Sequence, residues 1–370
     1  VANELTIHIG PPKTATTTIQ KALSAARDDL LARGVLYPKG FGNADIHLWA
    51  AIDLARQVGL DFDPTPFSRA LFDEAQLHRG AWTDLLHQTL THDGPVIWSS
   101  EGFTYLGDEG VDALARAVAD IPTRLVLVAR PPAQVVVSAY VEQARRTVVE
   151  PFDTYVRCHL THLARGVRHE SDYGDVRRLI QRWAQSGIPI QTVQAIPDLN
   201  DDVVRSALAA VAPMLTEEAL PERENVSMSA MGTAAWQAHL RRTKPRLVGA
   251  MSEVLTWFGT AHPAVLDSRV GGRLALAPET AALVDAAFSY QTPQEEADAA
   301  RSALLDTLGA ASPIVAEAVP GPGMPDEAWA RTVASLRSRQ LRADGKWAVV
   351  DAASVALRRR RPVRAQGIAL

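Results

Sequence analysis

The sequence contains a single cysteine, Cys158, and that scarcity removes two classes at once. One thiol closes no internal disulfide and builds no multi-thiolate zinc site. A surplus of basic charge is also missing. The formal net charge at pH 7 is −4, so no global field draws the chain to nucleic acid or to acidic membranes. Any anion site must therefore be built locally. Long apolar runs are absent too. A membrane span needs about 20 apolar residues, and charged or polar side chains interrupt every stretch before that length. The opening residues Val1-Ala2-Asn3-Glu4 carry no basic region and run into a short apolar stretch ending at Gly10, unlike a signal peptide. The expectation is a cytoplasmic protein with no integral membrane segment and no nucleic-acid partner.

What is present is the balance of a globular chain: 47 % hydrophobic and 22 % charged over 370 residues, enough for one large domain or two ordinary ones. The first half alternates strand and helix signals. Leu5–Ile9, Val35–Tyr37, Pro95–Ser99, Arg124–Ala129 and Pro189–Val193 read as short buried strands. Between them, helices are expected at about Thr17–Arg33, Asp45–Val58, Gly80–Leu90, Glu109–Ala119, Pro131–Arg146 and Asp175–Gln185. Strands separated by helix-length segments specify a parallel sheet covered on both faces. After about Ile196 the strand signal fades and helical patterns take over at 201–212, 230–258, 278–287 and 293–308, with one more at 326–340. The expected fold is α/β: a three-layer, P-loop-like fold with a central parallel sheet and a helical C-terminal extension. Its expected divisions are an α/β core at 1–200, a helical part of the same domain at 201–315, and an extension with a basic tail at 316–370. That tail, Arg358-Arg359-Arg360-Arg361, reads as a solvated terminus.

Two segments carry chemistry. Gly10-Pro11-Pro12-Lys13-Thr14-Ala15-Thr16-Thr17-Thr18 joins the first strand to the first helix. The first N–H groups of a helix lack partners within it, and the helix dipole favours an anion there. Thr16, Thr17 and Thr18 add hydroxyls, and Lys13 adds a mobile positive charge. This is not a Walker A loop, which needs Gly-Lys-Ser/Thr after four spacers from the first glycine; Ala15 and Thr16 stand there instead. The second segment is Leu125-Val126-Leu127-Val128-Ala129-Arg130-Pro131-Pro132 with Val137-Ser138 beyond it. Arginine past a strand end offers a planar donor fork that suits phosphate. Arginine at that strand end also argues against the metal-holding aspartate of a nucleotide hydrolase.

Together these segments resemble the sulfotransferases that use 3′-phosphoadenosine 5′-phosphosulfate (PAPS). In that family a Pro-Lys-(Ser/Thr)-Gly-Thr-Thr core follows the first strand, matched by Pro12-Lys13-Thr14-Ala15-Thr16-Thr17 with alanine in place of glycine. A strand-Arg-(Asp)-Pro segment and a helix serine grip the 3′-phosphate, matched by Arg130 and Ser138, with Pro131 where many members have aspartate. The resemblance implies PAPS as co-substrate, adenosine 3′,5′-bisphosphate as product and no metal. It also implies that Pro12 to Thr18 cradle the 5′-phosphosulfate, with Lys13 stabilising the leaving phosphate oxygen. Asn225 and Ser227 match an Asn-x-Ser segment near the nucleotide lid, though a turn and helix cap explain them almost as well. Glu101, in the Ser-Glu pair that follows the third strand, is the expected general base, with His47 as rival. His8 is expected to be packed or bonded in the core. His159 and His162 have helical spacing but no carboxylate pattern for a metal. The acceptor would be a hydroxyl of a carbohydrate, lipid or secondary metabolite. The alternatives are a nucleotide kinase-like phosphoryl transferase and a non-catalytic nucleotide-binding module.

Overall fold

The computed structural model describes residues 2–11, 14, 16–40, 47–59, 78–146, 150–167, 174–194, 201–215, 233, 273–310 and 313–319. Four strands, β1 (Glu4–Ile9), β2 (Pro95–Ser99), β3 (Thr123–Ala129) and β4 (Ile190–Gln194), form one sheet in the order β2-β1-β3-β4. Every neighbouring pair is parallel. Successive side chains on a strand point to opposite faces, and both faces are covered, so β3 is apolar from Leu125 to Ala129, while β1 alternates apolar Leu5, Ile7 and Ile9 with the buried polar Thr6 and His8. Leu5, Ile7 and Ile9 of β1 share one face with Trp98 of β2 and Leu125 and Leu127 of β3. That face packs on α3 (Leu48–Val58), α4 (Ala81–Leu90), α5 (Asp108–Ala117) and α8 (Val176–Gln185). The other face, with Ile97, Val126 and Val128, packs on Ile19 and Leu23 of α1 (Thr16–Ala25) and on Val204, Ala207 and Leu208 of α9 (Asp201–Val211). Helices thus cover both faces of a parallel sheet, the arrangement of an α/β fold.

A third apolar cluster lies beside the sheet. It joins Ala133 and Val136 of α6 (Pro132–Arg146) to Val156 and Leu160 of α7 (Phe152–Ala164). Val284 and Phe288 of α10 (Pro278–Phe288) and Leu304 of α11 (Gln294–Gly309) complete it. Polar side chains tie this hairpin to α8. The buried Arg177 donates to Gln294 Oε1 at 3.1 Å and to the carbonyls of Ser289 and Thr292, bracing the α10–α11 turn. Asp175 caps α8 through the Arg178 N–H at 3.0 Å and pairs with Arg301 of α11 at 3.5 Å.

The chain divides into two compact units. The first comprises Val1–Tyr140, Phe152–Asn225 and Leu276–Val315; the second comprises Val141–Pro151, Val226–Ala275 and Ala316–Leu370. Helices α9, α10 and α11 therefore belong to the same unit as the sheet. No helix among the described residues is long and apolar enough to cross a membrane.

Four expectations from the sequence need correction. Val35–Tyr37 is not a strand: only Leu36 forms a parallel bridge, to Val96. Gly34 at φ 80° turns the chain just before it, and Pro38 has no N–H to continue a ladder. The helix expected at Thr17–Arg33 divides at Ala26 (φ −88°, ψ 6°) into α1 and α2 (Arg27–Ala32). The strand signal does not end near residue 196, because β5 (Arg273–Leu276) and β6 (Val315–Val319) form a two-stranded sheet. Four residues of β5 are too few to show a period, and the alanines of β6 weaken its alternation. Helix α7 was not anticipated as an element, although Val156, His159, Leu160 and Leu163 line its buried side. The helices expected at 230–258 and 326–340 lie outside the described residues, apart from Thr233.

One contact bears directly on the site below. Helix α6 starts two residues after Arg130, and the Ala133 N–H in its first turn donates to Asp285 Oδ1 of α10 at 2.9 Å. A carboxylate there satisfies an amide that the helix itself cannot. Asp285→Ala should destabilise the protein by about 1 kcal/mol, read as a lower urea midpoint, with Asp285→Asn closer to wild type. An unchanged midpoint for the alanine variant would show that this cap does not hold the helix.

Candidate functional site

The strand order places a topological switch between β1 and β3. From β1 the chain proceeds toward β2 on one side; from β3 it proceeds toward β4 on the other. The connections leaving the carboxyl ends of these neighbouring strands therefore diverge and open a crevice, which is where ligands of open parallel sheets bind. The Gly10 loop leaves β1 there, and Arg130 leaves β3.

The loop after β1 is tightly drawn. A Cβ on Gly10 would lie 1.9 Å from Thr16 Oγ1, so this position accepts only glycine without displacement. Thr14 is fully buried; its hydroxyl donates to the Pro11 carbonyl at 2.6 Å and lies 3.3 Å from Thr16 Oγ1. Thr14 therefore braces the loop from inside. Helix α1 begins at Thr16, with Thr16 buried, Thr17 exposed and Thr18 half-buried. No acidic residue sits in its first turn, so nothing of its own opposes an anion at its amide end. Pro12, Lys13 and Ala15 lie outside the described residues.

At the end of β3, Arg130 and Ser138 come together. Arg130 Nη1 donates to Ser138 Oγ at 3.0 Å, and Arg130 Nε donates to Gln134 Oε1 at 2.9 Å. Gln134 and Ser138 are one turn apart on α6 and share a face. The sequence reading paired Arg130 with Ser138 but passed over Gln134. Its i+4 spacing from Arg130 and i−4 spacing from Ser138 was the signal that could have found it.

At the end of β2, Ser99 is a junction. It is fully buried. Its N–H donates to His47 Nδ1 at 2.9 Å, its carbonyl accepts from Gln20 Nε2 at 3.3 Å, and its hydroxyl lies 2.8 Å from His8 Nδ1. Beyond it, Ser100 caps a 3₁₀ turn, Glu101–Tyr105, by accepting the Gly102 N–H at 2.9 Å. Glu101 heads that turn and is half-buried. His47 Nε2 in turn lies 3.0 Å from the Pro38 carbonyl. Since Nδ1 accepts, Nε2 must carry the proton and donate. Both nitrogens are committed to backbone, and the ring is 1 % exposed. His47 thus has no lone pair to offer an acceptor hydroxyl. It positions the β2 end.

No family model matches the sequence, and a comparison with curated proteins finds no match.

Burial pushes both histidines down, His8 to about 3 and His47 to about 4. For His47 burial outweighs the bond to Pro38, which raises it, and the charge of Arg27 lowers it further. His159 is buried on α7, and Tyr155 stacks on it at 5.8 Å. Among the described residues no group of three His, Cys, Asp or Glu side chains could hold a metal ion. Asn225, Ser227 and the tail at 358–361 lie outside the described residues.

The depressed histidines fix a pH dependence. Above about pH 6.5 both rings are neutral in folded and unfolded chains alike. Below it the unfolded chain binds protons that the folded one refuses, so stability falls as pH falls from 6.5 toward 4 and 3. Each ring should cost about 2 kcal/mol between pH 7.5 and pH 5. Urea unfolding at those two pH values should show His47→Gln losing less than wild type by about that amount. Equal losses in the two proteins would mean that His47 does not stay neutral in the folded state.

Proposed function

We propose that this chain transfers a sulfuryl group from PAPS to a hydroxyl acceptor. The observation that carries the reading is the Arg130 guanidinium held by Ser138 and Gln134 at the end of β3, one strand away from the loop after β1. Neighbouring strands lie about 4.8 Å apart. Two candidate anion points at adjacent strand ends suit a nucleotide with separated 5′ and 3′ groups, and the motifs resemble those of PAPS-dependent sulfotransferases.

In this reading the amide end of α1 and the hydroxyls of Thr16 to Thr18 hold the 5′-phosphosulfate, and Arg130 with Ser138 holds the 3′-phosphate. The acceptor oxygen attacks sulfur while the bond from sulfur to the 5′-phosphate oxygen breaks. The acceptor proton passes to Glu101, and the charge growing on the leaving oxygen is offset by Lys13. The products are a sulfate ester and adenosine 3′,5′-bisphosphate. Glu101 is preferred to His47 as base because it follows β2 at the same sheet edge, whereas the His47 nitrogens are both bonded to backbone. The acceptor class is a carbohydrate, lipid or secondary-metabolite hydroxyl.

Calorimetry should show adenosine 3′,5′-bisphosphate binding well ahead of ATP, with or without magnesium. Arg130→Ala should weaken the bisphosphate by about 1.5–3 kcal/mol, the scale of a hydrogen bond to a charged group. Equal affinity for the two nucleotides would remove the 3′-phosphate assignment.

Transfer of radiolabelled sulfate from PAPS, screened over hydroxyl acceptors, tests the activity itself. Once an acceptor is in hand, Glu101→Gln should lower kcat by about 10²–10⁴-fold while leaving bisphosphate affinity near wild type. His47→Gln at pH 7.5 should keep most of its turnover. The opposite pattern, an active glutamine variant at 101 beside a dead one at 47, would make His47 the base.

A further inference from the structure

Resting on the assignment of Arg130 to a 3′-phosphate, we infer that Gln134 is a third member of that anion clamp, holding the guanidinium with its oxygen and facing the phosphate with its amide hydrogens. The argument is one of hydrogen-bond direction. Arg130 can only donate. Its bond to Gln134 at 2.9 Å must therefore end on Oε1, which fixes the amide orientation and leaves Nε2 with two hydrogens to give. The same holds for Ser138. Its oxygen accepts from Arg130 Nη1 at 3.0 Å, which leaves the hydroxyl proton to give. Among the described residues neither the Gln134 amide hydrogens nor the Ser138 proton is given to another protein group. The two side chains thus both accept from one cation and keep three hydrogens to give.

Such a donor set selects an anion over a neutral ligand, because a phosphate oxygen needs donors and nothing else. Position supports the same conclusion. Gln134 lies in the first turn of α6, between Arg130 at the strand end and Ser138 one turn further on, and all three are half-buried. A carboxylate at 134 would bond Nε as well as glutamine does, but it would have no hydrogens to give and would repel a phosphate. A glutamine orients the cation without cancelling its charge.

The test uses the full chain with two substitutions at 134 and two nucleotides. Gln134→Met keeps length and helix propensity but removes both polar atoms; Gln134→Glu keeps the acceptor and removes the donors. Binding of adenosine 3′,5′-bisphosphate and of 5′-AMP, which lacks the 3′-phosphate, is measured by calorimetry beside Arg130→Ala. The bisphosphate should weaken about tenfold in the methionine variant and at least that much in the glutamate variant. AMP affinity should hold in both, so that the ratio of the two affinities falls. If Arg130→Ala collapses that ratio while either substitution at 134 leaves it at the wild-type value, Gln134 is not part of the clamp and the Arg130 assignment stands. If Arg130→Ala itself leaves the ratio unchanged, the 3′-phosphate is held elsewhere and the role of Gln134 falls with it. A methionine variant that loses AMP and bisphosphate equally overturns the inference too, since it reports a structural role.

Discussion

Ser99 is the point on which the geometry of the β2 end depends. It is fully buried, and each of its polar groups meets a different element: the amide meets His47 at the entry of α3, the carbonyl meets Gln20 on α1, and the hydroxyl meets His8 on β1. Losing the His47 ring or the His8 ring would leave the buried amide or hydroxyl unsatisfied, at a cost of about 1–3 kcal/mol; the carbonyl also accepts the His47 N–H, at 3.5 Å. Three such bonds make a clamp between the sheet and helices on its two faces. Ser100 and Glu101 follow directly, so the direction in which they leave the sheet is set by that clamp. The loop at Gly10 follows His8 by two residues and is anchored to the same network through β1 and α1. The histidines that serve it are neutral because they are buried, which also makes the arrangement acid-sensitive.

Parallel strands then put the chemistry on one edge. All carboxyl ends lie on the same side of the sheet, and the order β2-β1-β3-β4 sets the Gly10 loop and the Arg130 segment on neighbouring ends. Residues some 120 positions apart in the sequence become neighbours through register alone: Ile9 of β1 stands opposite Leu127 of β3. A chain with a net charge of −4 has no diffuse field to gather anions, so an anion site depends on what converges locally at the switch point.

The sheet was legible because both of its faces are buried. Continuous apolar runs such as Leu125 to Ala129 identify a strand whatever its neighbours. Helices with a strong one-sided pattern were legible for the same reason. Short elements were not. Leu36 bonds like a strand residue for one pair only, and β5 has four residues, so neither leaves a period to count. In the site, Arg130 and Ser138 were joined in the sequence only through the resemblance to the sulfotransferase motif; position after a strand marked Arg130 alone. The bonds of Gln134 and Ser99 could not be read, because an uncharged side chain of common type declares its partner only when the fold brings one within reach. His47 shows the converse. Its chemistry and position suggested a base, and only the two backbone groups on either side of the ring reveal that its nitrogens are already used.

The two candidate anion points also differ in what they can use. At α1 the first turn carries no acidic residue, and the backbone amides and dipole of the helix face the end of the crevice at β1. At α6 a first-turn amide is already given to the carboxylate of Asp285, which places negative charge where the dipole would otherwise attract it. An anion beside Arg130 therefore gains little from the helix end. It must be held by side chains, and those available sit at the strand end and along the next two turns: a guanidinium, then an amide, then a hydroxyl. The Asp285 cap fixes the start of the helix that carries the last two. Fixing it by a carboxylate from α10 leaves the Arg130 guanidinium, and not the helix end, as the positive charge at this second point.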